Sequence, residues 1–149
     1  MFKTIANNHV EAAGTGGNWN SFAYIQKQQG SFTSAYADKA RISFILKDDI
    51  GESHAGGVLF AASNSSTLDN ATPGNNDDNI ISSSAARTIG GGVVTLDLKR
   101  TIRENEADED SGQGRIYLFL KTINMSAGDS VDLNLITETW GRWHVVESL

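Results

Sequence analysis

Five carboxylates lie close together within residues 103–114, where they could ligate a divalent cation. They are Glu104, Glu106, Asp108, Glu109 and Asp110. A helix-flanked calcium loop needs its oxygen ligands in a fixed register, with a glycine at the turn. Here Gly112 takes a ligand position and Gln113 takes the position of the turn glycine. The run is therefore interpreted as a solvated loop, with cation binding as the alternative, and no metal ligand is predicted.

Nucleophilic catalysis has one weak candidate, the sequence GESHA at 51–55, which places Ser53 beside His54. A nucleophile elbow requires a strand before the serine and a helix after it, whereas a further strand is expected here. The other histidines, His9 and His144, lack paired-ligand spacing. The chain has no cysteine, which excludes thiol nucleophiles and thiolate metal sites. We predict no catalytic residue, no cofactor and no enzymatic activity.

Two indoles flank a glycine and an arginine near the end of the sequence. If Gly141 and Arg142 form a two-residue turn, Trp140 and Trp143 face each other across a hairpin. If the strand instead continues through a bulge at Gly141, the two indoles separate. The group is either an aromatic platform for sugar rings or a packing pair that anchors a subunit interface. Trp140, Arg142 and Trp143 are thus candidate binding or interface residues.

Alternation of apolar and polar residues is the pattern that would position these groups. In 93–99, Val94, Leu96 and Leu98 alternate with Thr95 and Asp97, as in a half-buried antiparallel strand. No segment has a convincing helical period. The predicted strands are 22–27, 40–47, 57–63, 79–86, 93–102, 114–123, 131–137 and 143–148.

The strand at 114–123 carries aromatic residues on its second face. Ile116 and Leu118 alternate with Tyr117 and Phe119, so both faces of the strand are apolar. Tyr117 and Phe119 require cover from a loop, a second layer or a neighbouring subunit, unless they are single exposed side chains. They join the candidate interface residues.

The connections are rich in glycine, serine, asparagine and aspartate, which favours tight turns. The acidic run is predicted to join 93–102 and 114–123 as hairpin partners, and MSAGDS at 125–130 is predicted to be a second hairpin turn. The segment 63–79 contains the only proline, Pro73. A loop of this length is usually functional or interfacial.

Length and pattern together define the expected fold. A chain of 149 residues suits one domain, here 1–149, with 1–20 as a flexible or extended N-terminal arm. About eight strands at this spacing favour an all-β, antiparallel two-sheet β-sandwich that resembles a jelly roll. Jelly roll and immunoglobulin-like strand orders cannot be separated from the sequence.

Charge and hydropathy argue against some classes of binding partner. A net charge of −6 repels polyphosphate, so direct nucleic-acid binding is not expected. The chain has no apolar run long enough for a membrane span, and its first residues lack the apolar core of a secretion signal. We expect synthesis in the host cytoplasm and no small-molecule substrate.

Without a catalytic constellation, protein–protein contact is the favoured function. We expect a structural or assembly protein, a homo-oligomer or a partner of another shell protein, located in a virion as a capsid, decoration or spike subunit. Jelly rolls recur in such shells, which is an argument from fold alone. The alternative is a lectin-like, carbohydrate-binding sandwich that uses Trp140 and Trp143, with Ca²⁺ as a possible aid.

Overall fold

The computed structural model is an all-β chain with two antiparallel sheets. The residues that the structure describes are 2–11, 18–27, 35–48, 50, 56–63, 67–68, 80–83, 87–88, 90–102, 115–126, 128–140 and 143–147.

Ten strands are formed by the described residues. In chain order they are β1 (Phe2–Glu11), β2 (Asn20–Lys27), β3 (Ala35–Lys47), β4 (Gly57–Ser63), β5 (Ile80–Ser83), β6 (Arg87–Thr88), β7 (Gly91–Ile102), β8 (Arg115–Ile123), β9 (Ser130–Trp140) and β10 (Trp143–Glu147). Each strand predicted from alternation overlaps one of them. The two strands without a predicted counterpart are β6 and β1, and β1 lies within the predicted N-terminal arm. The assignment of the chain to a single domain stays a prediction.

Consecutive strands alternate between the two sheets, except for β4, β5 and β6, which all belong to the same sheet. Sheet A has the order β1-β9-β3-β7, and sheet B has the order β10-β2-β8-β4-β5, with β6 also paired to β4. The chain therefore changes sheet between β1 and β2, between β2 and β3, and between β3 and β4. It changes sheet again at each step from β6 to β10.

The pairings follow the pattern of one long ribbon folded back on itself. Antiparallel ladders join β1 to β9, β2 to β8, β3 to β7 and β4 to β5. The fold-back of this ribbon lies between β4 and β5. Two further ladders, β3 with β9 and β4 with β8, join successive parts of the ribbon side by side. Partner strands are consequently distant in sequence except at the fold-back.

The two predicted hairpins are wrong, and so is the hairpin alternative at Gly141 and Arg142. β7 and β8 lie in different sheets, so 93–102 and 114–123 are not partners. The same holds for β8 and β9, which flank MSAGDS, and for β9 and β10, which flank Gly141 and Arg142. A turn sequence specifies that the chain reverses direction, but it does not specify whether the next strand joins the same sheet or the opposite one.

One hydrophobic core is shared by both sheets. Its buried members come from β3, β7 and β9 of sheet A and from β2, β4 and β8 of sheet B. The ring of Phe44 in β3 lies 5.2 Å from that of Phe60 in β4, which joins the sheets directly. Phe60 also meets Phe22 of β2 edge-to-face at 6.1 Å. Inward-facing residues at every second position build this core.

A bulge in β3 shifts the alternation by one residue. The register with β9 passes from Ala37↔Thr139 to Lys39↔Glu138, so Asp38 is the extra residue. Ala37 points into the core, whereas Asp38 and Lys39 are both half-buried at its edge. The Tyr36 hydroxyl donates a hydrogen bond to Asp38 Oδ1 at 3.2 Å. Desolvation, followed by the charge of Asp38 and this hydrogen bond, raises the pKa of Tyr36.

Replacing Asp38 with asparagine should lower the pKa of Tyr36, because the negative charge that favours the neutral phenol is lost, although the amide oxygen of asparagine can still accept the hydrogen bond. The raised pKa stabilises the folded state fully below the ordinary tyrosine pKa of about 10 and is lost as the pH rises through the raised value. Tyrosinate absorbance, compared with that of Tyr36→Phe, measures the shift. An unchanged titration in Asp38→Asn would contradict the assignment.

Two glycines begin β7 and face Phe44 differently. A Cβ on Gly91 would collide with the backbone oxygen of Phe44, which cannot move without breaking the ladder. A Cβ on Gly92 would lie 3.6 Å from Cζ of the Phe44 ring, an ordinary contact distance. Only Gly91 is therefore required by the close approach of two backbones.

Gly91→Ala should lower the free energy of unfolding by about 2 kcal/mol, whereas Gly92→Ala should change it by less than about 0.5 kcal/mol. Urea unfolding of the two variants beside the wild type is the measurement. Equal effects at both positions would show that the backbone contact at Gly91 is not limiting.

Candidate interaction surfaces

The outer face of sheet B carries a second apolar layer, termed here the outer cluster. Its members are Trp19, Tyr24, Leu59, Ala61, Leu68, Tyr117 and Phe119. They come from β2, β4 and β8, from Trp19 just before β2, and from Leu68 beyond β4. In register, Tyr24 lies beside Tyr117, and Phe119 lies beside Ala61. Sheet B thus has apolar side chains on both faces.

Tyr117 and Phe119 are covered by this chain itself. Their side chains are 8% and 2% exposed, with Trp19 and Leu68 packed in the same cluster. Trp19 and Leu68 lie outside the strands, so cover by a loop, one of the three covers considered from the sequence, contributes to this burial. A partner would reach the cluster mainly through its half-buried members, such as Tyr24. A direct interface role for Tyr117 and Phe119 stays a prediction.

Two cations lie over aromatic rings of the outer cluster. The Arg115 guanidinium carbon is 4.5 Å from the centroid of Tyr24, and its Nη1 donates a hydrogen bond to Tyr117 Oη at 3.1 Å. Lys121 Nζ is 5.8 Å from the ring centroid of Trp19. Both cations arise from the same alternation in β8 that places Tyr117 outward. The arrangement holds the rings in place and leaves positive charge at the rim of the cluster.

The tryptophan group is divided between the sheets. Trp140 ends β9 in register with Tyr36 of sheet A, and Trp143 begins β10 in register with Lys27 of sheet B. The hairpin in which two indoles face each other across a two-residue turn is therefore wrong. Arg142 lies outside the described residues, and the binding role of the group stays a prediction.

The outer face of sheet A is open and mixed in character. Lys39 lies in register with Asp97 on one side and with Glu138 on the other, so charges alternate across three strands. At the opposite end of the sheet, Lys47 Nζ forms an ion pair with Asp132 Oδ2 at 2.7 Å. Alternating charges of this kind contribute more to the orientation of a contacting surface than to its affinity.

A shallow depression of about 370 Å³ lies on this face. Its lining combines both signs of charge with aliphatic side chains: Lys39, Arg41, Val93, Thr95, Ile136 and Glu138. Chemically, such a lining can take hydrogen bonds and apolar contact at once. It suits a protein surface better than a single small anion, since Glu138 opposes the cations.

Exposed aliphatic residues mark the β7 side of sheet A. Ile45 is 50% exposed and Val93 is 48% exposed, and the one other large apolar side chain exposed among the described residues is Ile50. Ile45 lies in register with Gly91, which has no side chain to cover it. Sequence reasoning assigned 40–47 and 93–102 to strands but did not identify this patch. The three glycines at 90–92 could have indicated this patch, because residues without side chains leave the neighbouring side chains exposed to solvent.

Two sequence candidates lie outside the described residues: the acidic run at 103–114 and GESHA at 51–55. In the part of the chain that is described, no group of three or more histidine, aspartate or glutamate side chains is placed to hold a metal ion. No helix in that part is long and apolar enough to cross a bilayer. The predictions of no cofactor and no enzymatic activity stay predictions.

No family model matches the sequence, and no curated protein matches it at a significant level. Among solved structures, the chain is similar to the crystal structure of the tailspike protein of Acinetobacter baumannii phage AM24. The identity is 10% and the TM-score is 0.43 over 97% of this chain. The chain spans 28% of the length of that tailspike. A likeness this distant supports no statement about activity or partners.

Phe119→Ala should lower the free energy of unfolding by about 3 kcal/mol, as for a core phenylalanine, because Phe119 is enclosed within its own chain. The matched control is Leu59→Ala on the same outer face, where a half-buried side chain should cost about 1 kcal/mol. Chemical unfolding measures both. A loss below 1 kcal/mol for Phe119→Ala would instead indicate that Phe119 is available to a partner.

Proposed function

We propose that this protein is a non-enzymatic structural subunit that assembles with copies of itself or with another shell protein in a virion. A capsid, decoration or spike position would each fit such a subunit. The proposal includes a jelly-roll-like β-sandwich as its fold. It is supported by strand pairing, by the surfaces of sheet A and by the charge of the chain.

Strand pairing is the observation that carries the proposal. One ribbon with the pairs β1–β9, β2–β8, β3–β7 and β4–β5, in which successive parts lie in opposite sheets, supports a jelly-roll-like order. β6 and β10 are additions to that order. Jelly rolls occur in viral shells and also in lectins, so the fold alone does not decide between these classes.

The open surface of sheet A favours protein contact. Val93 and Ile45 expose apolar area beside a sheet edge, and the neighbouring charges can set the orientation of a partner. A net charge of −6 opposes contact with a packaged genome. The subunit would accordingly occupy an outer shell, spike or tail position, away from nucleic acid.

The test combines the state of the purified chain with its location in its native source. We expect light scattering to give a mass above that of one chain at high protein concentration, alone or with a recovered partner protein. Antibodies against the chain should label particles in electron micrographs. A strict monomer with no recovered partner and no labelled particle would overturn the proposal.

Glycan-array binding separates the carbohydrate alternative from this proposal. Binding by the wild type that disappears in Trp143→Ala, with normal unfolding of the variant, would favour the lectin class. A structural subunit without sugar binding should give no glycan signal, with or without Ca²⁺.

A further inference from the structure

The edge of sheet A formed by β7 is unusually long. β7 contains 12 residues, and its one partner among the described strands is β3. A typical strand has about 5–6 residues. An open edge presents a row of backbone donors and acceptors to any other extended chain. An edge of this length needs either protection or a partner.

Protection is concentrated in the second half of β7. Asp97 and Lys99 are exposed charges, and Lys99 has a φ of 45°, which interrupts the regular strand. Charges and bulges are the usual means by which proteins block edge pairing. From Gly90 to Leu96, by contrast, no residue is charged and none is proline. The first half of the edge lacks these protections.

The unprotected half is also the apolar part of the surface. Val93 and Ile45 are each about half exposed, and they lie on the same outer face, since Ser43 pairs with Val93 and Ile45 with Gly91. Gly91 and Gly92 add no side chain that would keep a second strand away. Backbone pairing and apolar burial are therefore available at the same place.

We propose that this half of β7 pairs antiparallel with the same segment of a second copy, about a two-fold axis near Val93. The inference rests on the proposed function and names both the partner and the surface. A strand paired antiparallel with itself is complementary by symmetry, because its donors and acceptors alternate identically on both sides. Sheet A then continues from one copy into the next.

Charge selects the register of this contact. Two chains of net charge −6 repel each other, so a contact between copies is favoured where neither contributes charge. An axis at Asp97 would place two carboxylates opposite each other, which is unfavourable. An axis at Val93 places Val93 opposite its symmetry mate and Gly91 opposite Thr95. It also leaves Asp97 and Lys99 beyond the uncharged segment.

The first experiment is sedimentation equilibrium of three proteins. The wild type should associate, and Val93→Lys should weaken the association at least about tenfold, because two cations then meet at the axis. Ile50→Lys is the matched control: it makes the same chemical change at an exposed apolar side chain that is not part of β7, and its association should stay within about twofold of the wild type. Unfolding curves verify that all three proteins are folded.

The second experiment uses the absence of cysteine from the sequence. Val93→Cys places one thiol at the proposed axis, and oxidised glutathione can convert two such thiols to an intermolecular disulfide while itself being reduced. Opposed residues of an antiparallel pair lie within disulfide reach. The covalent dimer should form faster from Val93→Cys than from Ile50→Cys.

The outcomes separate the edge contact from the general function. An assembling wild type in which Val93→Lys and Ile50→Lys associate equally, with no preferential disulfide at residue 93, would overturn the β7 contact and leave the proposed function standing. A wild type that is monomeric at high concentration would also overturn the β7 contact. In that case recovery of a different partner protein, or failure to recover one, decides the proposed function independently.

Discussion

Burial of apolar side chains between the two sheets is the constraint on which the other features depend. The contact between Phe44 and Phe60 joins sheet A to sheet B, and each contributing strand places every second residue in the same interior. A shift of one residue in any strand would exchange its core set for its solvent set. The bulge at Asp38 illustrates this constraint: β3 accommodates one extra residue, and Ala37 and Ala40 on either side of it both remain buried.

The same constraint explains what the sequence could and could not predict. Strands were predictable where alternation was strong, as in β7 and β9, because a strand with one buried face needs an apolar residue at every second position of its own sequence. Pairing was not predictable, because the turn-like segments before β8 and β9 resemble hairpin turns although the chain changes sheet there. β1 was missed because its apolar residues do not alternate. The sequence showed that Tyr117 and Phe119 need to be covered. It could not show the exposed patch beside Gly91, because that patch depends on which residues are paired across strands.

The two sheets have different roles at the surface. Sheet B is apolar on both faces, and its outer cluster is enclosed by the same chain, with Arg115 and Lys121 at the rim. Sheet A buries one face and leaves the other open, with alternating charges at one end and bare aliphatic side chains beside β7. Among the described residues, sheet B therefore has most of its outer apolar side chains covered, and the contact proposed for this chain lies on sheet A. This division is the physical basis of the assembly function proposed for the chain.

The ribbon pairing also determines how this chain must fold. Among the described strands, β4 and β5 are the partners that lie closest in sequence, whereas β1 must pair with β9, which comes much later in the sequence. Each more distant pair closes a longer loop before its hydrogen bonds and burial offset the lost entropy. A contact map of this kind is associated with slow folding, in milliseconds to seconds. During biosynthesis, β1 cannot pair with its partner until β9 has left the ribosome, so β1 is made long before its pairing can form.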